Sequence, residues 1–267
     1  MSTASFSAEG SELRIASDGH VRILTLDRPQ ARNALTRTLI RALADALVDA
    51  DQAEDVRVVV VSGAGERAFC AGLDLKEMRA QIEAGSGFKS PMGEVDRSLY
   101  EIAAEMKKPV VAALNGSAVA GGLELALACD LRISHPGAVF GFPEATIGMG
   151  AHFGSVMLPR HIPMCFALEM LYTGDYISAE RAQQLGLLNR LVARDQVMPV
   201  SLEIARRIAS NAPLSVRRMK AMAIKGHGVP LAAALRLDIG PSPYLSEDRQ
   251  EGIRAWIGKR APVWRGR

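Results

Sequence analysis

Asn115-Gly116-Ser117-Ala118-Val119-Ala120-Gly121-Gly122-Leu123-Glu124-Leu125 joins a strand signal to a helix signal through small residues. Just before it ends, the apolar run Val110 to Leu114 predicts a buried strand, and Leu123 to Cys129 has helical character. A glycine pair at a helix start leaves the first backbone N–H groups bare and lets a ligand come close. Those donors sit at the positive end of the helix dipole and suit a negatively charged oxygen. Glu124 falls one turn into the same helix. A lone acid in an apolar run needs a partner or a proton, because burying a bare carboxylate is costly. A plain glycine helix start with a partly exposed glutamate fits the same letters.

On the N-terminal side, Leu13 to Ile15 and Val21 to Leu26 flank Asp18-Gly19 and predict a hairpin. Thr36 is a candidate N-cap for a helix whose apolar face is Leu39, Leu43, Ala46, Leu47 and Ala50. Val56 to Val61 is rich in β-branched residues and predicts a buried strand, so strand, helix and strand form a crossover unit. Ala68-Phe69-Cys70-Ala71-Gly72-Leu73-Asp74 leads into a second helix start. Gly85 to Gly93 lacks periodicity and predicts a loop, and Val95 to Met106 predicts a helix.

On the C-terminal side, Asp130 to Ser134 predicts a short strand, and Ala138 to Glu144 a strand fragment ending in Pro143-Glu144. Gly148 to Gly154 reads as a loop, followed by helices over Ser155 to Arg160 and Cys165 to Leu171. Ser178 caps a short helix that Gly186 ends, and Leu187 to Val192 returns to strand. From about Met198 only helical patterns remain: Pro199 to Ser210, Leu214 to Lys225, Leu231 to Ile239 and Ser246 to Lys259. The chain reads as an α/β body over residues 1–197 and a helical region over 198–267.

A chain of 267 residues can bury a sizeable core, and its net charge of +3 argues against a nucleic-acid binder. Cys70, Cys129 and Cys165 are odd in number and far apart, which reads as buried free thiols in a reducing compartment. The polar start, Met1 to Gly10, lacks a secretory pattern. The longest apolar stretch, Val110 to Cys129, carries Asn115, Glu124 and three glycines, so it is rejected as a membrane span. A cytoplasmic location is expected. His20, His135, His161 and His227 lack metal-like spacing, and no metal site is expected.

Four stretches in order resemble one family. They are Asn33-Ala34-Leu35 after Leu26-Asp27-Arg28-Pro29; Ala68-Phe69-Cys70-Ala71-Gly72-Leu73-Asp74-Leu75; Asn115-Gly116 through Glu124-Leu125 with Cys129-Asp130; and Phe140-Gly141-Phe142-Pro143-Glu144. The pattern is similar to that of the crotonase (enoyl-CoA hydratase/isomerase) superfamily and covers nearly the whole chain. The resemblance implies a spiral of β-β-α turns followed by helices that build a trimer, often two trimers stacked. It also implies a CoA thioester as substrate and no separate cofactor.

Carried over by motif, the backbone N–H groups of Ala71 and Gly121 would form an oxyanion hole for the thioester carbonyl. Glu124 and Glu144 match the two glutamates of hydrating members. They would bind one water, Glu144 giving a proton to Cα and Glu124 helping to take one from the water. Two nearby carboxylates should not both be ionised. The CoA would lie near Arg28, Ala68, Ala71, Gly72, Leu73, Asp74 and Leu75, with Lys259 or Arg260 of a neighbouring subunit at a phosphate. A solvated surface charge is the competing reading for Arg28 and Lys259, and a cap or turn for Asp74 and Asp130. Cys70 reads as a small buried filler.

The segment after Glu144 departs from the family pattern. Gly148-Met149-Gly150-Ala151-His152-Phe153-Gly154-Ser155 lacks the proline usual there and is about one residue shorter. This puts the substrate in doubt more than the chemistry, and His152 reads as a loop histidine. The expected function is an enoyl-CoA hydratase. An isomerase or acyl-CoA dehydratase on the same scaffold is the second reading, and a CoA-ester binder without turnover the third. The scaffold serves several reactions, so fold alone does not choose among them.

Overall fold

The computed structural model describes residues 4–6, 11–85 and 97–267. Strands β1 (Ala4–Phe6), β2 (Leu13–Asp18) and β3 (Val21–Leu26) pair antiparallel; the hairpin is as expected, but its turn is Gly19-His20, since Asp18 still pairs with Val21. Helix α1 (Arg37–Gln52) crosses over to β4 (Val58–Gly63), which runs parallel to β3. Thr36 caps α1 by accepting the Leu39 N–H at 3.0 Å, and the expected Leu39, Leu43, Ala46, Leu47 and Ala50 form its buried face.

From β4 onward the chain repeats a strand, a short strand and a helix. The first turn is β4, β5 (Ala68–Cys70) and α2 (Leu75–Glu83). After α3 (Leu99–Glu105) comes the second, β6 (Val110–Ala113), β7 (Ser117–Val119) and α4 (Gly121–Ala128). The third is β8 (Leu131–Ser134), β9 (Val139–Gly141) and α5 (His152–His161), with a 3₁₀ turn, Pro143–Ile147, between its last two members. Then follow α6 (Met164–Thr173), β10 (Ile177–Ser178), α7 (Ala179–Gln184) and β11 (Arg190–Leu191). The strands form one sheet in the order β1-β2-β3-β4-β6-β8-β11 and a second in the order β10-β9-β7-β5. Each turn thus adds a strand to both sheets, which is the spiral of β-β-α units.

The strand period explains why β4 is buried throughout. Val59 and Val61 face the cluster that includes Leu39, Leu43, Phe69 and Leu123. Val58 and Val60 face a second cluster with Val111, Ile133, Val197 and Ala205. The residues Val197 and Ala205 belong to α8 (Val197–Ala209), which covers that outer face. Helices α9 (Pro213–Gly226), α10 (Leu231–Ala234) and α11 (Glu247–Ile257) complete the chain.

Several boundaries differ from the sequence reading. Helix α5 starts at His152, inside the expected loop, because the Ser155 N–H already donates to the Ala151 carbonyl. Pro143 and Glu144 leave the strand for a 3₁₀ turn, which proline at its start favours. Helix α3 begins at Leu99, fixed by a capping box of Ser98 and Glu101, and Val95 and Asp96 of the expected helix lie outside the described residues. Pro199 is the third residue of α8 rather than its first, and α10 stops at Ala234. Cys70 and Cys129 are buried as expected, but Cys165 is exposed on α6. Of the expected Gly85–Gly93 loop, all but Gly85 lies outside the described residues. No helix among the described residues is long and apolar enough to cross a membrane.

Candidate active site

Helix α4 is buried along its whole length, and both of its ends are fixed. At the C-terminal end the buried Arg132 guanidinium donates to the Cys129 carbonyl at 2.6 Å and to the Ala126 carbonyl at 3.2 Å. This satisfies carbonyls that a helix end leaves bare. At the other end Ala120 takes φ +54° and ψ −132°, a conformation that costs a residue with a side chain. The bend aims the α4 N-terminus at a cleft. The cleft, about 2230 Å³ in volume, is lined by Leu73, Tyr100, Gly121, Glu124, Glu144 and His152, among others.

Two asparagines of the recognised motifs hold the segment that faces α4. Asn33 donates to the carbonyls of Ala64 (3.0 Å) and Ala68 (2.9 Å). Asn115 accepts from the Gly63 N–H at 2.9 Å and donates to the Gly65 carbonyl at 2.8 Å. Beyond them Gly72, at φ +85°, turns the chain so closely that a Cβ there would lie 3.0 Å from the Gly121 nitrogen. The two glycine-bearing segments therefore meet.

Their N–H groups are not equivalent. The Ala71 N–H donates to the Arg32 carbonyl at 3.1 Å. Leu35 and Leu73 form a parallel bridge, in which the Leu35 N–H goes to Gly72 and the Asp74 N–H to Leu35. Among the described residues no acceptor faces the N–H of Leu73 or Gly121, and both residues line the cleft.

The two glutamates also reach this cleft, by different routes. Glu124 on α4 accepts the Gly154 N–H at 2.8 Å. Burial pushes its carboxyl up from the ordinary value, and the Gly154, His152, Phe153 and Tyr100 groups oppose that. Glu144 enters from the 3₁₀ turn and is 8% exposed. Its Oε2 is buried with no partner among the described residues. Burial first, and then the charge of Glu124, push the Glu144 carboxyl up to about 7. A carboxyl poised there can both hold and release a proton near neutral pH. Cys70, in the same wall, is pushed up to about 12 by burial and serves as filler, not as a nucleophile.

The enoyl-CoA hydratase/isomerase family model matches residues 17–267. This chain belongs to the enoyl-CoA hydratase/isomerase family. It is 39% identical to the (E)-benzylidenesuccinyl-CoA hydratase of Thauera aromatica, over 92% of this chain and 96% of that one. It is 37% identical to the carnitinyl-CoA dehydratase of Salmonella typhi, over 96% and 98%. The crystal structure of enoyl-CoA hydratase EchA1 from Mycobacterium marinum superposes with a TM-score of 0.86, at 34% identity, over 96% of this chain and 99% of that one.

Within this family member the expected site residues divide. Glu124, Glu144, Ala71, Gly121, Ala68, Leu73, Asp74 and Leu75 all line the one cleft. Gly72 lies directly behind it, against Gly121. Arg28 does not line it. Its guanidinium is spent on Glu12 (2.8 Å), Asp74 (2.9 Å) and the Ala34 carbonyl (2.7 Å). Asp74 in turn caps α2 by accepting from Lys76 and Glu77. Lys259, at the end of α11, lies outside the cleft walls of its own chain. Sequence reading passed over Tyr100, whose only signal was an aromatic one residue into a capping-box helix. It also passed over the strain at Ala120, because alanine gives no hint of a positive φ.

The raised Glu144 carboxyl has a measurable consequence for stability. Folding favours its protonated form, so the native state loses stability as pH rises from about 4.5 to about 7. Above that the loss is complete and amounts to at most about 3 kcal/mol. Glu144→Gln removes the titration, so the variant should exceed the parent in stability at pH 8 and approach it at pH 4. Urea titrations at both pH values check this. Equal stability differences at the two pH values would contradict it.

Proposed function

We propose that this protein is an enoyl-CoA hydratase, adding water across the double bond of a trans-2-enoyl-CoA to give a 3-hydroxyacyl-CoA. The observation that carries this reading is the paired arrangement of Glu124 and Glu144 in one cleft, with the Glu144 Oε2 buried and unpartnered. A water molecule between the two carboxylates would supply that missing partner.

In this scheme the Leu73 and Gly121 N–H groups hold the thioester oxygen. As negative charge develops there, donors already in place stabilise it without reorganising. The role first expected of the Ala71 N–H passes to Leu73, since Ala71 is committed to Arg32. Ionised Glu124 takes one proton from the water, whose oxygen forms a bond to Cβ. Protonated Glu144 gives its proton to Cα. The product gains one water, and the proton now on Glu124 must return to Glu144 before the next turnover. CoA enters as part of the substrate, and no separate cofactor takes part.

A binder without turnover has no use for an unpartnered buried carboxylate oxygen, and a double-bond isomerase has no use for a bound water. Dehydration is the reverse of the same steps on the same residues. The test is to mix purified protein with trans-2-enoyl-CoA esters and follow the conjugated enoyl absorbance. Its loss, with 3-hydroxyacyl-CoA formed, supports the reading. Tight binding without loss would count against it.

We further propose that the helices after α8 build a homotrimer. Leu231, Leu235, Leu245, Trp256 and Ile257 are each more than 70% exposed in the single chain. Apolar exposure on that scale marks an interaction surface. Sedimentation equilibrium should give three times the 28.6 kDa chain mass, or six times if trimers stack. A species at the mass of one chain would overturn this.

A further inference from the structure

In the Leu35–Leu73 bridge the Leu35 N–H goes to the Gly72 carbonyl at 2.7 Å, and the Asp74 N–H goes to the Leu35 carbonyl at 3.0 Å. Leu35 therefore spends both of its backbone groups on the bridge. The Leu73 N–H is turned away from Leu35 and toward the cleft that Leu73 lines. Its aim depends on this one isolated pairing, with no ladder around it.

Arg28 grips both sides of that pairing. Its Nη1 donates to the Ala34 carbonyl at 2.7 Å, one residue before Leu35, and to the Asp74 carboxylate at 2.9 Å, one residue after Leu73. Its Nε holds Glu12 at 2.8 Å, and Glu12 also accepts the Thr36 hydroxyl at the start of α1. Asp74 keeps its other oxygen, Oδ1, for the Lys76 and Glu77 N–H groups of α2. The Arg28 and Asp74 side chains are 16% and 13% exposed, so water competes little for this ion pair. The loop from Arg28 to Leu35 is itself bent into a costly shape, with Arg32 at φ +52° and Asn33 at φ +55°. Such a shape persists only where its surroundings over-determine it. The Arg28 backbone contributes here too: its N–H donates to Asn33 Oδ1 at 3.0 Å, and its carbonyl accepts the Asn33 N–H at 2.9 Å.

Resting on the hydratase reading, we propose that Arg28 is a positioning residue for the oxyanion hole: by stapling Ala34 to Asp74 it holds the Leu73 N–H on the thioester oxygen. Arg28 does not line the cleft, so it acts through Asp74 and the bridge. A guanidinium suits this task because its rigid fork reaches a carbonyl and two carboxylates at fixed angles, which a lysine ammonium does not. A donor fixed in advance is what an oxyanion hole requires, and a donor that swings loses much of its effect.

Arg28→Met keeps most of the stem and removes the fork. The probe is butyryl-CoA labelled with ¹³C at the thioester carbonyl, which has no double bond to hydrate. The readout is the stretching frequency of the bound carbonyl by isotope-edited infrared difference spectroscopy, which a merely structural role would not move. Oxyanion donors polarise the carbonyl and lower this frequency. The parent band should lie below that of the free thioester, and in Arg28→Met it should return about halfway, because the Gly121 N–H stays in place. With a trans-2-enoyl-CoA, kcat should fall about ten- to a hundredfold and KM should change less than about threefold. Asp74→Asn keeps an oxygen to cap α2 and should move the band the same way, so it serves if Arg28→Met does not fold. A parent-like band in the folded variants would overturn the proposal, whatever their melting temperatures. A rise in KM alone would also overturn it and return Arg28 to a CoA contact. A band that moves in a protein that leaves every enoyl ester unchanged would uphold the Arg28–Leu73 link and overturn the hydratase reading instead.

Discussion

Glu144→Gln is expected to lower kcat for hydration by about 10²- to 10⁴-fold, with KM changed only a few-fold. Glutamine keeps the size and polarity of the side chain but has no proton to give to Cα at neutral pH. The Glu144 Oε2 has no hydrogen-bond partner among the described residues through which another group could relay that proton. The sign of the pH dependence follows. In the parent the acid is lost as pH rises past about 7 in the free protein, so kcat/KM should fall on the alkaline side. Glu124→Gln should cost a similar factor, and the double variant little more than either alone, since both act in one step. Stopped-flow or steady-state assays of the three variants check this. A parent-like kcat in either single variant would sink the two-carboxylate scheme.

The second large effect separates two neighbouring backbone amides. Replacing the Leu73 amide by an ester removes its N–H and leaves the side chain intact. This change should lower kcat by about 10²- to 10³-fold, the usual cost of one oxyanion donor. The same replacement at Ala71 breaks the 3.1 Å bond to Arg32. It should cost about 1 kcal/mol of stability and little activity. The reverse pattern would return the donor role to Ala71.

That difference within one loop shows where sequence reading stops. The motif Ala68 to Leu75 marks the segment, but which N–H points into the cleft depends on Gly72 turning through positive φ and on the Leu35–Leu73 bridge. Neither is visible in spacing. The hairpin, the α1 face and the glycine start of α4 were legible because each rests on local periodicity or capping chemistry. Glu124 and Glu144 were legible as residues. Their meeting, and the donor-poor surroundings of one of them, needed the tertiary arrangement. Arg28 shows the same limit. Its guanidinium is a brace that ties Asp74 and the α2 cap to Glu12. Long-range ion pairs of this kind leave no trace in a single sequence. The early start of α5 at His152 has a similar origin, since the Gly154 N–H that serves Glu124 requires a helical turn there.

The most direct test of the central claim is turnover of a trans-2-enoyl-CoA in D₂O containing ¹⁸O water, with the product analysed by mass spectrometry and NMR. The account predicts one ¹⁸O at Cβ and one deuterium at Cα in the same molecule. Deuterium without oxygen, or a thioester recovered unchanged from a protein that binds it, would contradict it.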